Sequence, residues 1–155
     1  MEMEILAADL QNPAHIAAII EIIDSYAQGP GGQNAPISQQ ARENMGEGLR
    51  KYANIEVLLA KENETFVGIA VCKWGFSTFA GKPYLNIHDL AVLPTHRGKG
   101  IGRTLMHEAE ERAKAAGCAK LTLEVHDSNE GAKRLYASEG YGPWESPTLF
   151  VSKAL

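Results

Sequence analysis

Apolar positions in the first third of the chain follow two different periods. Residues 3–8 mix short-range alternation with acidic positions and predict a short strand. Asn12 and Pro13 then form a helix start, because proline costs nothing where the first N–H has no partner. Ile16, Ile19, Ile20, Ile22, Ile23 and Tyr26 follow and cover more than one face, which predicts a well-buried helix. Gly29, Pro30, Gly31 and Gly32 stop it. A second helix is predicted from Ser38 to about Lys51. It is polar, it lacks Glu or Gln three places after Ser38, and Gly46 and Gly48 weaken it.

From residue 55 the pattern changes to strands. Residues 55–61 are rich in branched apolar side chains, Glu62-Asn63-Glu64 reads as a turn, and residues 66–74 return as the hairpin partner. A loop through Gly81-Lys82-Pro83 leads to a third strand over residues 84–92, which Pro94 ends. After Gly98, Ile101, Leu105, Ala109 and Ala113 recur every four residues, with Met106 and Ala116 widening the stripe, and Gly117 closes this helix. Residues 121–125 predict a strand. Ser128 or Asn129 caps a last helix running to Glu139, and Tyr141 and residues 148–152 predict the final strands. The order β-α-α-β-β-β-α-β-α-β-β makes a mixed α/β (α+β) fold, with residues 1–155 as one domain.

Composition narrows the function classes. The 155 residues are 45% hydrophobic and 22% charged, an ordinary globular balance. A formal net charge of -4 argues against a nucleic-acid partner, since phosphate binding draws on a basic surface. The acidic start of the chain gives no signal peptide, and no apolar run approaches the roughly 18 residues a membrane span needs. Cys72 and Cys118 each sit in an apolar run without a C-x-x-C spacing, which fits two reduced cysteines in a cytoplasmic protein and no metal site.

The chemistry concentrates in Asp89 to Thr104. A strand runs out, a short turn follows, and Arg97-Gly98-Lys99-Gly100-Ile101-Gly102-Arg103-Thr104 opens a long helix. The first amides of such a helix lack internal partners and carry partial positive charge. Glycines let an anion approach them, and Arg97, Lys99 and Arg103 add charge, so the segment suits a diphosphate. The spacing fails the P-loop and the dinucleotide fingerprint alike, because Arg103 stands where each needs glycine. It fits R/Q-x-x-G-x-G/A through Arg97, Gly100 and Gly102.

That pattern resembles the acetyl-CoA diphosphate motif of the GNAT superfamily of N-acetyltransferases. Asn129 to Tyr141 is similar to a second stretch of that superfamily, N-x-x-A-x-x-L-Y-x-x-x-G-[FY], through Asn129, Ala132, Leu135, Tyr136, Gly140 and Tyr141. The resemblance covers residues 85–141. It implies acetyl-CoA as acyl donor without a metal, and a mixed central sheet splayed where Leu90, Ala91 and Val92 meet the pantetheine. Val92 or Leu90 would supply an oxyanion N–H. It implies a diphosphate site at Arg97, Gly98, Lys99, Gly100, Ile101, Gly102, Arg103 and Thr104. It also implies that Tyr136 faces the thioester sulfur as general acid. Asn129 is either a helix cap or a pantetheine ligand, and Lys133 either a solvated residue or a contact to the CoA 3′-phosphate. Residues 76–83 are similar to members near the diamine and polyamine acetyltransferases, whose following Leu-Glu-Asp stretch is here Ile87-His88-Asp89.

His88 and Asp89 are the candidate bases. Adjacent strand residues point to opposite faces, so only one of them reaches a given site. His88 titrates in the neutral range when unperturbed and is favoured, with Asp89 orienting the strand or a cationic substrate. The alternative for both is a polar residue that pins the strand. In this fold residues 29–35 and the helix after them wall the acceptor site, their glycines suggest mobility, and Trp74, Phe76 and Phe79 are candidate pocket or core residues. The expected partner is a small-molecule amine, with no nucleic acid and no membrane, and a homodimer is compatible with the sequence. The competing functions are acetylation of a protein N-terminus or lysine, and an acetyl-CoA-binding module without turnover.

Overall fold

A computed structural model describes residues 2–155. They form two compact units, residues 2–124 and residues 125–155. The first contains β1 (Met3–Ala7), α1 (Pro13–Gln28), α2 (Gln39–Lys51), β2 (Ile55–Glu62), β3 (Thr65–Ser77), β4 (Lys82–Val92), a 3-10 turn (Pro94–His96), α3 (Ile101–Ala115) and β5 (Leu121–Leu123). The second contains α4 (Glu130–Ser138). The fold is mixed α/β, as the sequence pattern predicts.

The five strands form one sheet in the order β1-β2-β3-β4-β5, antiparallel except for the parallel β4–β5 pair. On one face, Ile19 and Ile22 of α1 close over Val57, Leu59, Ile69, Val71 and Ala91. The alternate positions Leu58, Ala60, Ala70 and Cys72 face the other way and are equally buried. There Gly68 lies so close to α3 that an added Cβ would stand 3.1 Å from Ile101 Cγ2 and 3.2 Å from Leu105 Cδ1. The sheet is therefore dry on both sides, which explains its near-continuous apolar strands.

Local chemistry starts and stops the helices. Asn12 Oδ1 accepts from Ala14 N at 2.9 Å, and Ser38 Oγ accepts from Ala41 N at 3.1 Å. Gly117, with φ 76°, follows the end of α3. The α1–α2 connection is tied to α1 by Asp24. Its Oδ1 accepts from Ile37 N at 2.9 Å and its Oδ2 from Arg42 at 2.6 Å. Gly32 packs its backbone against α1, where a Cβ would lie 2.5 Å from the Tyr26 carbonyl oxygen. That close approach, rather than mobility alone, accounts for a glycine there.

The strands expected at Tyr141 and residues 148–152 are not formed. Among the described residues no strand follows α4. Pro143 and Pro147 interrupt the stretch and cannot donate to a ladder. Ser146 Oγ takes the Thr148 amide locally at 3.1 Å, competing with strand pairing. The aromatic residues read as pocket candidates also resolve differently. Phe76 and Phe79 are exposed near the β3–β4 turn. Trp74 turns its Nε1–H to Glu56 Oε2 at 3.2 Å, and Glu56 also pairs with Arg112 of α3.

Candidate active site

The centre of the candidate site is a change of register in β4. Cys72 of β3 pairs with Ile87 and Val71 pairs with Asp89, so His88 has no partner in the β3 register. This is a β-bulge, and it reverses which face the following residues occupy. Without it Asp89 would share a face with Ile87. With it Asp89 follows Val71 and Ala91 onto the α1 face, while His88 is left exposed. Of the adjacent pair, Asp89 is half-buried in the packed layer and His88 is exposed.

Burial there raises the Asp89 carboxyl above the ordinary aspartate range, while His88 and Lys73 pull it partly back. Tyr26 of α1 is raised as well, first by burial and then by the charge of Asp89. The sequence pattern presents Tyr26 only as one of the apolar positions of this helix. A tyrosine ends the isoleucine run of α1 and feels the charge of the one aspartate of β4. Cys72, on the other face, has its thiol pushed up to about 12, chiefly by burial, which makes it unreactive.

The second element is an open edge. β5 pairs with β4 only from Leu85 to Ile87, so no described strand lies beside residues 88–92 on that side. Leu93 N–H donates to Val67 O of β3 at 2.8 Å. By alternation, Leu90 and Val92 then turn their backbone polar groups to the open edge, and Ala91 turns its own to β3. Val92 C=O already accepts from Arg97 Nε at 3.0 Å, which folds the Arg97 side chain back along the strand end.

The third element is the glycine turn. Gly98 and Gly100 have φ of 79° and 82°, a left-handed conformation that side chains resist. The space where a Cβ would stand is open at both. Gly100 caps α3 without a side chain, and Thr104 N–H and Oγ1–H both donate to Gly100 O, at 3.0 Å and 2.9 Å. The helix ladder therefore begins at Thr104, ahead of which stand Ile101, Gly102 and Arg103. Ile101 is buried, Gly102 is half-buried with ordinary helical backbone, and Arg103 is exposed. Lys99 points its ammonium to Glu62 at 3.5 Å. This donor set, with an open cradle and a helix start, fits a diphosphate.

In the second unit Asn129 is a cap, its Oδ1 accepting from Ala132 N at 3.2 Å. Lys133 Nζ lies 3.1 Å from Asp127 Oδ1 and 3.6 Å from Glu130 Oε1. Tyr136 is buried, with its ring tilted against Tyr141 at 6.2 Å between centroids. Among the described residues, no cluster of three or more His, Cys, Asp or Glu could hold a metal ion, and no helix is long and apolar enough to cross a membrane.

Residues 16–141 match the model of the Acetyltransferase (GNAT) family, and the chain belongs to that family. It is an N-acetyltransferase by class, and the family uses acetyl-CoA. An uncharacterized N-acetyltransferase of Bacillus subtilis (strain 168), YhfO, is 31% identical over 99% of this chain and 97% of its own length. Aminoalkylphosphonate N-acetyltransferase of Salmonella typhimurium is 34% identical over 57% of this chain, and the match spans only 57% of that protein. A solved aminoglycoside N-acetyltransferase, AAC(6')-Iy in complex with CoA, shares the fold with a TM-score of 0.77 at 15% identity, covering 99% of this chain and 96% of its own.

The Asp89 environment gives a stability test. A carboxyl raised by the fold contributes stability that is fully present below its unfolded value, ~3.9, and is lost as the pH rises through its folded value. Asp89→Asn removes that ionisation. Its melting temperature should exceed that of the native chain at pH ~8, and the gap should close as the pH falls toward ~4. Parallel melting curves for the two proteins across that range would show that Asp89 is not held in a desolvated site.

Proposed function

We propose that the chain, acting as a single domain over residues 1–155, moves the acetyl group of acetyl-CoA onto a primary amine of a small molecule by direct attack in a ternary complex. The observation that carries this reading is the pair of left-handed glycines at the start of α3, open to an anion beside the unpaired edge of β4. Arg97, Gly98, Lys99, Gly100, Ile101, Gly102, Arg103 and Thr104 would hold the diphosphate. Leu90, Ala91 and Val92 would carry the backbone edge for the pantetheine, with Leu90 or Val92 N–H meeting the carbonyl oxygen as negative charge develops there. Asn129 and Lys133 complete the proposed cofactor set.

An attacking amine must first lose its proton. Of the two candidate bases, Asp89 has the supporting environment. Its raised carboxyl is a better base at neutral pH than an ordinary aspartate, and it lies on the α1 face with Tyr26. His88, exposed on the bulge, remains the second candidate. Tyr136 is the proposed acid for the departing thiolate. Acylation of a small amine is supported by relatives named for aminoalkylphosphonate and thialysine. A relative named for ribosomal protein bS18 keeps a protein acceptor as the competing reading.

The deciding experiment is thiol release from acetyl-CoA across a panel of free amines and peptides. Turnover with free amines and none with peptides is expected. Turnover confined to peptides would move the function to protein acetylation, and donor binding without turnover on either would make the chain a binding module.

Gly102→Val tests the cradle without the backbone strain that Gly100→Val would add, because Gly102 is helical. Calorimetric titration with CoA should show affinity lowered by about tenfold or more while circular dichroism stays native. Native affinity in the folded variant would remove the diphosphate from this loop.

Tyr136→Phe keeps the ring and deletes the hydroxyl. If Tyr136 protonates the thiolate, kcat should fall by roughly 10²–10⁴-fold with acetyl-CoA affinity little changed. A kcat within about threefold of native assigns the hydroxyl to packing instead.

A further inference from the structure

A buried carboxylate lies at the root of this anion-binding loop. Glu62, the last residue of β2, is only 6% exposed. It pairs across the sheet with Met3 on one side and Thr65 on the other, and shares a face with Ala60. Its Oε2 lies 3.2 Å from His96 Nε2, and its Oε1 lies 3.5 Å from Lys99 Nζ. Oε1 makes no hydrogen bond, so the Lys99 contact is an ion pair at the limit of bonding distance. His96 is fixed in turn through Nδ1, which lies 2.9 Å from Thr95 Oγ1.

This arrangement is costly unless it has a use. A buried carboxylate with an oxygen outside any hydrogen bond forfeits hydration that a surface glutamate keeps. Its negative charge also opposes a diphosphate arriving at the same loop. Both contacts reach residues on either side of Arg97 and Gly98, the point where the chain leaves the 3-10 turn for the left-handed glycines. The Leu93 amide to Val67 O and Arg97 Nε to Val92 O both hold the β4 end of the segment. Glu62 is the tie from the β2–β3 side.

We propose that Glu62 is a positioning residue for the diphosphate loop, fixing His96 and Lys99 so that Gly98 and Gly100 keep the shape that receives acetyl-CoA. This rests on the reading of the loop as the diphosphate cradle. The carboxylate does not touch the donor. It acts through the loop, and its effect is confined to donors that carry a diphosphate.

Steady-state kinetics with two donors test this. Acetyl-CoA carries the diphosphate, and S-acetyl-pantetheine lacks it. Glu62→Gln is nearly isosteric and removes the charge that holds both partners. KM for acetyl-CoA should rise by about tenfold or more with kcat little changed, and kcat/KM for S-acetyl-pantetheine should stay within about twofold of native. His96→Gln, made from the exposed side of the contact, should raise KM for acetyl-CoA in the same direction. The double variant should be no worse than Glu62→Gln alone, because the His96 contact is one of the two that Glu62→Gln already breaks. If Glu62→Gln does not fold, the His96→Gln donor comparison alone decides. An unchanged or lowered KM for acetyl-CoA in the folded variants would overturn the proposal, as would equal losses on both donors. If the native chain itself does not prefer acetyl-CoA to S-acetyl-pantetheine, the cradle reading fails, a result distinct from a failure of Glu62.

Discussion

The single extra residue at His88 governs the geometry of the candidate site. A strand repeats every two residues, so one unpaired position exchanges the two faces for everything beyond it. Upstream of His88, Ile87 belongs to the layer opposite α1. Downstream, Asp89 and Ala91 belong to the α1 layer with Val71 and Ile69. The same part of β4 loses β5 as a neighbour after Ile87. One strand therefore carries a half-buried carboxylate on its face and, within a few residues, an edge that no described strand covers. Acyl transfer to an amine needs both, a proton acceptor and fixed donors for a developing oxyanion.

The loop that follows shows how a glycine turn at a helix start is held from its flanks. Left-handed glycines have no side chains to wedge them in place, so their conformation must be imposed from their flanks. Here the flanks are tied by a backbone bond to β3, by Arg97 folded onto Val92, and by the buried Glu62 reaching His96 and Lys99. Two of the basic side chains counted toward diphosphate binding thus have structural contacts as well.

Much of the fold was legible because its signals are local. The caps at Asn12, Ser38 and Asn129, the stop at Gly117, and the four-residue stripe of α3 each depend on neighbours a few residues away. The family motif around Arg97, Gly100 and Gly102 was legible for the same reason. What failed was less local. The strands expected at Tyr141 and residues 148–152 rest on apolar composition without a pairing partner, and Pro143 and Pro147 oppose them.

The sequence by itself determined the element order through α4 and the family. It could not determine which of His88 and Asp89 faces the packed layer, because a bulge is a property of two strands in register and neither strand alone encodes it. Nor could it show Tyr26 beside Asp89, or lift Glu62 out of what read as a turn. The Tyr26–Asp89, Glu62–His96 and Glu62–Lys99 couplings join residues 34 to 63 positions apart, and only the tertiary structure brings their charges within reach of one another.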